Sequence, residues 1–287
     1  MKIGTYFAYW AKEWNVNYIK YIKKAADAGF DVLEISSGIL DMTDMELEGL
    51  KKAAKDAGLI LTACLGLPKD LDVSSPDEAT RRRGIDYMKA MFAAMDKTDI
   101  RKIGGIIYAY WPCDWSLPVD KEGARERSIE SIRKLASAAD QYGIELEMEV
   151  VNRFEQFLIN DAKEAVQYVK DVGCSNVKVM LDTFHMNIEE DNIGDAIRYT
   201  SSYLGHFHIG ECNRKVPGRG HMPWDEIGKA LRDINYKGYA VMEPFVKMGG
   251  GVGSDIKVWR DLSDDADEAK LDADIAKSVK FVHSKFD

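Results

Sequence analysis

Residues 127–150 read RSIESIRKLASAADQYG followed by IELEMEV, a helix-like segment joined to a strand-like one. Between residues 127 and 141, apolar residues recur every three or four positions and so share one helix face. Gly143 follows, where a glycine in the left-handed conformation is expected to end the helix. Residues 144–150 have the length of a buried parallel strand. Together these segments predict an α/β protein.

The same alternation continues in both directions along the chain. Seven further runs of strand length are separated by helix-like stretches, and they lie at residues 3–7, 32–35, 59–62, 103–108, 177–181, 204–209 and 239–242. Eight strand–helix units predict a closed (β/α)8 TIM barrel. Because no Pro-, Gly- or Ser-rich linker interrupts the series, residues 1–287 are predicted to form a single domain.

A doubly wound open sheet is the alternative fold. Such a sheet normally carries a glycine-rich phosphate loop after an early strand, and no GxGxxG or GxxxxGK[ST] pattern occurs there. The glycine run at residues 249–253 follows the last strand and is interpreted as a flexible loop over the barrel mouth. Another helix is predicted to begin at Ser75 and Pro76, with Ser as the cap and Pro in the first turn.

Composition limits which binding partners and which cellular location are expected for the protein. The 287 residues carry a formal net charge of −9, which repels phosphate backbones, so no nucleic-acid partner is expected. The cysteines are scattered without a CxxC pair and are expected to be free thiols: Cys64, Cys113, Cys174 and Cys212. No signal peptide and no run of about 18–20 apolar residues is seen, so a cytoplasmic protein without membrane association is expected.

Four consecutive predicted strands end in a side chain that could bind a metal ion. In a (β/α)8 barrel, functional groups lie at the carboxyl ends of the strands. Strands five to eight end at Glu149, Asp182, His208 and Glu243. Each alone could be solvated, salt-bridged or packed in the core. The set of three carboxylates and one imidazole predicts a site for one divalent ion, Mn²⁺, Co²⁺ or Mg²⁺, and the lack of thiolates argues against structural zinc.

The loops that follow these strand ends add further polar groups. Glu155, His185 and Arg214 lie three to six residues beyond a predicted ligand and should reach the same rim. They would supply hydrogen-bonding groups and a fixed positive charge beside the ion. His206 should point the same way as His208, into the barrel interior, where a packing role is favoured over metal binding.

Aromatic residues follow three of the strands. Tyr6, Phe7 and Trp14 follow strand one, Trp111 follows strand four, and Phe245 follows strand eight. Aromatic walls beside convergent polar groups are common in small-molecule pockets. The residues alone leave open whether each ring contacts a ligand or packs in the core.

These motifs are similar to those of a known family. The chain resembles the ketose 3-epimerases, the group of D-tagatose 3-epimerase and D-psicose (D-allulose) 3-epimerase within the xylose-isomerase-like barrels. The resemblance runs from YFAYW at residues 6–10 to KVWRD at residues 257–261. Its most specific stretches are EVVNRFE at 149–155, MLDTFHMN at 180–187, GECNRKVPGRG at 210–220 and MEPF at 242–245.

The resemblance implies a role for each candidate. It implies that the four strand-end residues bind Mn²⁺ or Co²⁺ and that Glu155, His185 and Arg214 hold the O1–O3 end of a ketose. Trp14, Trp111 and Phe245 fall where the family lines its pocket, beside Tyr6, and a homodimer or homotetramer is implied. The loops at residues 39–42 and 64–70 depart from the family. They are expected to shape the pocket around the far end of the sugar, so the preferred ketose is left open.

The resulting hypothesis is epimerisation at C3 of a free ketohexose through a cis-enediolate. A divalent ion on O2 and O3 would act as a Lewis acid, and Glu149 and Glu243 would alternate as base and acid. The nearest alternative is an aldose–ketose isomerase with similar ligands. A nuclease or phosphodiesterase should carry more than the five histidines and a basic face. A sugar-binding protein would not need paired carboxylates on a metal.

Overall fold

Eight parallel strands form a closed barrel. The computed structural model describes all 287 residues, and each strand is hydrogen-bonded to the next, with the eighth paired to the first. The strands are β1 (Lys2–Tyr6), β2 (Val32–Ile35), β3 (Ile60–Cys64), β4 (Lys102–Gly105), β5 (Glu145–Glu149), β6 (Val177–Asp182), β7 (Leu204–Ile209) and β8 (Tyr239–Met242). The predicted (β/α)8 barrel is confirmed, and the doubly wound sheet is excluded because no edge strand exists.

Ten α-helices accompany the strands. They are α1 (Ile19–Ala28), α2 (Asp44–Asp56), α3 (Glu78–Lys97), α4 (Lys121–Asp140), α5 (Ala162–Val172), α6 (Thr183–Glu189), α7 (Ile193–Thr200), α8 (Trp224–Asp233), α9 (Gly250–Asp255) and α10 (Glu268–Phe286). Short 3₁₀ helices occupy Phe7–Tyr9, Ser37–Asp41, Lys69–Leu71 and Ser201–Tyr203. None of the helices combines the length and the apolar character that crossing a membrane would require.

Most predicted strands agree with the structure to within two residues, but β4 does not. It ends at Gly105 rather than at Tyr108. Gly105 has φ +106°, and a Cβ atom there would overlap the carbonyl of Leu65. The chain therefore leaves the extended conformation early, and the apolar residues that follow pack as a loop.

Two helix starts were predicted at the wrong residue. Helix α3 begins at Glu78, not at Ser75, because the Asp77 carboxylate accepts the backbone N–H of Thr80 at 2.9 Å and caps the helix there. Helix α4 begins at Lys121, six residues before the predicted start. Its cap is Asp120, which accepts the N–H of Gly123 at 3.0 Å.

The glycine run after β8 is a helix, so its interpretation as a flexible loop is wrong. Helix α9 is held against the segment that follows β1: the N–H of Val252 donates to the Lys12 carbonyl at 3.0 Å, and the N–H of Gly251 donates to Glu13 at 3.0 Å. At the end of the helix, Asp255 accepts a hydrogen bond from the Trp14 indole at 2.8 Å. The segment is fixed over the barrel mouth.

The amino-terminal end of the barrel contains its own ion pair. Lys102, the first residue of β4, pairs with Glu145 and lies 2.9 Å from Glu147, both on β5. Glu147 is fully buried.

No disulfide crosses the structure, since all four cysteines are free, as predicted.

Candidate active site

The carboxyl ends of β5 to β8 bring the four predicted metal ligands together. One ligand atom from each of Glu149, Asp182, His208 and Glu243 lies within 4.8 Å of all the others. His208 Nδ1 is 3.5 Å from Glu243 Oε1 and 3.9 Å from the nearest oxygens of Glu149 and Asp182. All four side chains are buried. Three carboxylates at such separations repel one another unless a positive charge lies between them.

Two atoms that face this cluster lack hydrogen-bond partners. Asp182 Oδ2 and His208 Nδ1 are buried and unpaired, whereas buried polar atoms in proteins are nearly always bonded. The other oxygen of Asp182 accepts the N–H of Phe184 at 2.6 Å, which fixes the carboxylate at the start of α6. Unpaired oxygen and imidazole nitrogen atoms that converge on one point fit a divalent cation of the Mn²⁺, Co²⁺ or Mg²⁺ type.

Two carboxylates of the cluster have pKa values shifted in opposite directions. Burial and then the nearby Glu243 carboxylate raise the pKa of Glu149 well above its ordinary value. Burial also acts to raise the pKa of Asp182, but the charges of His185 and Arg214 bring it below the ordinary value. One of the carboxylates therefore takes up a proton readily, a state that a bound cation would oppose.

Arg214 is held rigidly beside the cluster. Its backbone lies in the left-handed region, with φ +61°, and its guanidinium carbon lies 3.6 Å from the centre of the Phe184 ring. Nη1 donates to Glu243 at 3.0 Å, and Nη2 is 3.6 Å from Glu155. The stacked, paired guanidinium is a fixed positive charge at the rim, as the sequence predicted.

His185 presents a defined nitrogen to the cluster. The backbone N–H of Asn152 donates to His185 Nδ1 at 3.2 Å, so the proton of the neutral ring is on Nε2. Nε2 lies 3.9 Å from Glu149 and 4.0 Å from Asp182. The Asn152 amide also donates to Glu155 at 3.1 Å. Asn152 thus orients two predicted substrate contacts, although the sequence analysis assigned it no role within EVVNRFE.

A cavity of about 340 Å³ opens above the cluster. Tyr6, Trp14, Trp111 and Phe245 line it together with Glu155, His185 and Arg214. Trp111 donates its indole N–H to Glu155 at 3.2 Å, which joins the aromatic wall to the charged one. Phe7, the other aromatic candidate, is fully buried against Tyr18 and does not line the cavity. Its place in the 3₁₀ helix after β1 turns it into the core.

Comparison with known proteins identifies the family. The xylose isomerase-like TIM barrel family profile matches residues 22–263. The D-psicose 3-epimerase of Agrobacterium fabrum is 53% identical over 282 residues, which cover 98% of each chain. The chain belongs to the ketose 3-epimerase family. It is accordingly an enzyme of the isomerase class.

Solved structures of ketose 3-epimerases have the same fold along their whole length. A crystal structure of D-psicose 3-epimerase in the presence of D-fructose superposes with a TM-score of 0.98 at 52% identity, covering 100% of this chain and 99% of that one. The D-psicose 3-epimerase of Clostridium cellulolyticum H10 with D-tagatose also gives 0.98, at 50% identity and full coverage of both chains.

Several cavity residues of this ketose 3-epimerase were not predicted individually. Leu65, Gly66 and Pro68 line the cavity, so the loop at residues 64–70 does shape it. The loop at residues 39–42 does not: Ile39 is fully buried in the core, and Ser36 and Ser37 line the cavity instead. Small and apolar residues in loops do not by themselves suggest a catalytic or binding role. Only their position directly after β2 and β3 could have predicted that they line the cavity.

Proposed function

We propose that this ketose 3-epimerase interconverts D-psicose and D-fructose, and that it accepts the D-tagatose and D-sorbose pair as well. The full-length similarity to D-psicose 3-epimerases supports the choice of sugar. The observation that carries the chemistry is the cluster of Glu149, Asp182, His208 and Glu243 on the floor of the cavity.

Those four residues would hold one divalent ion, Mn²⁺ or Co²⁺. The unpaired Asp182 Oδ2 and His208 Nδ1 support this assignment, because each is a buried polar atom with no hydrogen-bond partner in the protein. When bound, the ion supplies Lewis-acid stabilisation for the negative charge that develops on the sugar oxygens.

Glu149 and Glu243 would move the proton at C3. One carboxylate removes that proton from one face of the sugar and leaves a cis-enediolate between C2 and C3. The other, as the carboxylic acid, returns a proton to C3 on the opposite face, so the sugar is neither oxidised nor reduced. Both carboxylates line the same cavity, which supports their action on one substrate carbon.

The remaining polar residues would position the substrate. His185 can donate its Nε2–H, and Arg214 its guanidinium N–H groups, to the oxygens at the O1–O3 end, where negative charge appears during the reaction. Glu155 would accept from a sugar hydroxyl. Tyr6, Trp14, Trp111 and Phe245 would cover the apolar face of the sugar and exclude water.

The direct test is turnover of free sugars. Metal-stripped protein is incubated with D-fructose, D-psicose or D-tagatose in D₂O, with and without Mn²⁺ or Co²⁺, and the products are separated by chromatography and examined by NMR. We expect metal-dependent interconversion of fructose and psicose, with deuterium at C3 of the product. An aldose product would indicate the isomerase alternative instead, and absence of turnover with any metal would contradict the proposal.

Two accompanying features remain predictions. The homodimer or homotetramer implied by the resemblance is tested by light scattering of the purified protein. The cytoplasmic location is tested by fractionating cells of the source organism.

A further inference from the structure

A fourth buried carboxylate lies directly behind His208, on its far side from the predicted metal site. Glu34, on β2, is fully buried inside the barrel. Its Oε1 is hydrogen-bonded to His208 Nε2. None of the predicted roles in catalysis or substrate binding uses this residue.

The second oxygen of Glu34 is also engaged. The Thr62 hydroxyl donates to Oε2 at 2.8 Å, and His206 Nε2 lies 2.9 Å from the same atom. With one oxygen toward His208 and the other toward β3 and β7, the carboxylate cannot rotate without losing a partner. A carboxylate buried at this depth is costly unless it is paired, and its hydrogen-bond partners here are the His208 imidazole and the Thr62 hydroxyl.

The bond from His208 to Glu34 decides which ring nitrogen faces the cluster. A carboxylate acceptor at Nε2 holds a proton on that nitrogen, which leaves Nδ1 with a free lone pair in the neutral ring. Nδ1 is the atom that lies 3.5 Å from Glu243 and 3.9 Å from Glu149 and Asp182, with no protein partner. The contact with Glu34 therefore fixes both the tautomer and the orientation of the ring.

We propose that Glu34 is a positioning residue: by accepting from His208 Nε2, it presents His208 Nδ1 to the divalent ion and makes that nitrogen a stronger ligand. The inference rests on the proposed function, because it requires an ion at the four-residue cluster. Charged acceptors behind metal-binding histidines fix the ring and increase its basicity. Thr62 acts one step further back, because its hydroxyl holds Glu34.

The experiment measures Mn²⁺ affinity by calorimetry on metal-stripped, full-length protein. Glu34→Gln keeps the shape but removes the negative charge, and we expect its Kd for Mn²⁺ to rise about 10- to 100-fold. Thr62→Val removes only the hydroxyl that holds Glu34, so a smaller rise in the same direction is expected. The matched control is Glu147→Gln, a buried glutamate of the same barrel interior that contacts Lys102 rather than His208; its Kd should equal that of the wild type.

A second readout separates positioning from loss of structure. At saturating Mn²⁺, Glu34→Gln should recover its turnover, and its KM for D-psicose should stay at the wild-type value. The visible absorption of bound Co²⁺ should also shift in Glu34→Gln but not in Glu147→Gln. Turnover that excess metal cannot restore, or an altered KM with an unchanged Mn²⁺ Kd, would overturn the proposal.

The outcomes distinguish this inference from the proposed function. If the wild type binds no Mn²⁺, or if His208→Asn leaves the Kd unchanged, the proposed metal site itself fails. If His208→Asn weakens binding while Glu34→Gln matches the Glu147→Gln control, only the positioning role fails. Glu34, Cys64 and His208 also lie close enough to share an ion. A stoichiometry that falls from two ions to one in Glu34→Gln would identify Glu34 as a ligand and overturn its positioning role.

Discussion

Strand β5 carries three glutamates at alternate positions, and their charged neighbours differ between the two ends of the barrel. At the amino-terminal end, Glu145 and Glu147 share the ammonium group of Lys102. At the carboxyl end, Glu149 faces two other acidic side chains and no lysine. The same residue type on the same strand thus lies beside a lysine at one end and in an acidic cluster at the other.

This difference separates a structural ion pair from a binding site. Lys102 supplies a permanent cation, so the lower end needs no ligand, and Glu147 keeps only one unpaired oxygen. At the upper end the fixed cation is Arg214, and Asp182 Oδ2 and His208 Nδ1 have no hydrogen-bond partner. A carboxylate cluster that the protein does not neutralise itself is the feature that predicts a bound cation.

The largest effect is expected from neutralising the upper carboxylates. Glu149→Gln and Glu243→Gln should each lower kcat by about 10²- to 10⁴-fold, because each removes a group that accepts or donates the C3 proton. Turnover of D-psicose is measured at saturating Mn²⁺, so that weakened metal binding does not account for the loss. Wild-type rates in both variants would mean that other groups transfer the proton.

A smaller loss is expected from changing the fixed cation of the rim. Arg214→Lys keeps the charge but loses the guanidinium fork and its stacking on Phe184, and should lower kcat/KM about 10- to 100-fold. Steady-state kinetics with D-psicose provide the measurement. The control is Arg219→Lys on the same loop, whose side chain pairs with Asp264 outside the cavity. Equal effects of the two changes would show that only the loop's fold matters.

The third effect is on stability, and its sign depends on metal. A buried carboxyl whose pKa is raised, as burial and Glu243 raise that of Glu149, costs stability that grows as pH rises past the ordinary carboxyl pKa. In metal-stripped protein at neutral pH, Glu149→Gln should therefore stabilise the fold by on the order of 1–3 kcal/mol. That corresponds to roughly 2–4 °C in Tm per kcal/mol.

Thermal unfolding followed by circular dichroism checks this prediction. With saturating Mn²⁺ the wild type should melt at a higher temperature than Glu149→Gln. Its free energy of unfolding rises by about 2.7 kcal/mol at 100 times its Kd, and that of the variant rises by less. A stripped Glu149→Gln protein that melts below the stripped wild type would contradict the account of the upper cluster.

The smallest effect is expected at the lower end of the barrel. Burial raises the pKa of Glu147 although Lys102 opposes it, so Glu147→Gln replaces a group that takes up a proton readily. Stability should change by about 0.5–1.5 kcal/mol, the net value of one hydrogen bond, and turnover should be unchanged. Both are measured beside Glu149→Gln, two residues away. A loss of turnover in Glu147→Gln would remove the distinction between the two ends.

Much of the site could be predicted because strand ends in a parallel barrel share one rim. Once β5 to β8 were located, Glu149, Asp182, His208 and Glu243 were the polar residues at their ends, and their convergence followed from the fold. Glu34 carried a similar signal, as a lone carboxylate in the apolar run Val32–Ile35. It was not singled out because no residue near it in sequence indicates that its carboxylate meets His208 of β7 inside the barrel.

The sequence by itself determined the barrel, the acidic rim and the family, because strand periodicity, strand-end residues and local motifs depend on neighbours along the chain. Only the tertiary structure decided that Glu34 accepts from His208, that Asn152 selects the tautomer of His185, and that α9 is ordered against the segment after β1. These features depend on distances between residues far apart in sequence. Those distances are set only when the barrel closes and brings the side chains of separate strands together.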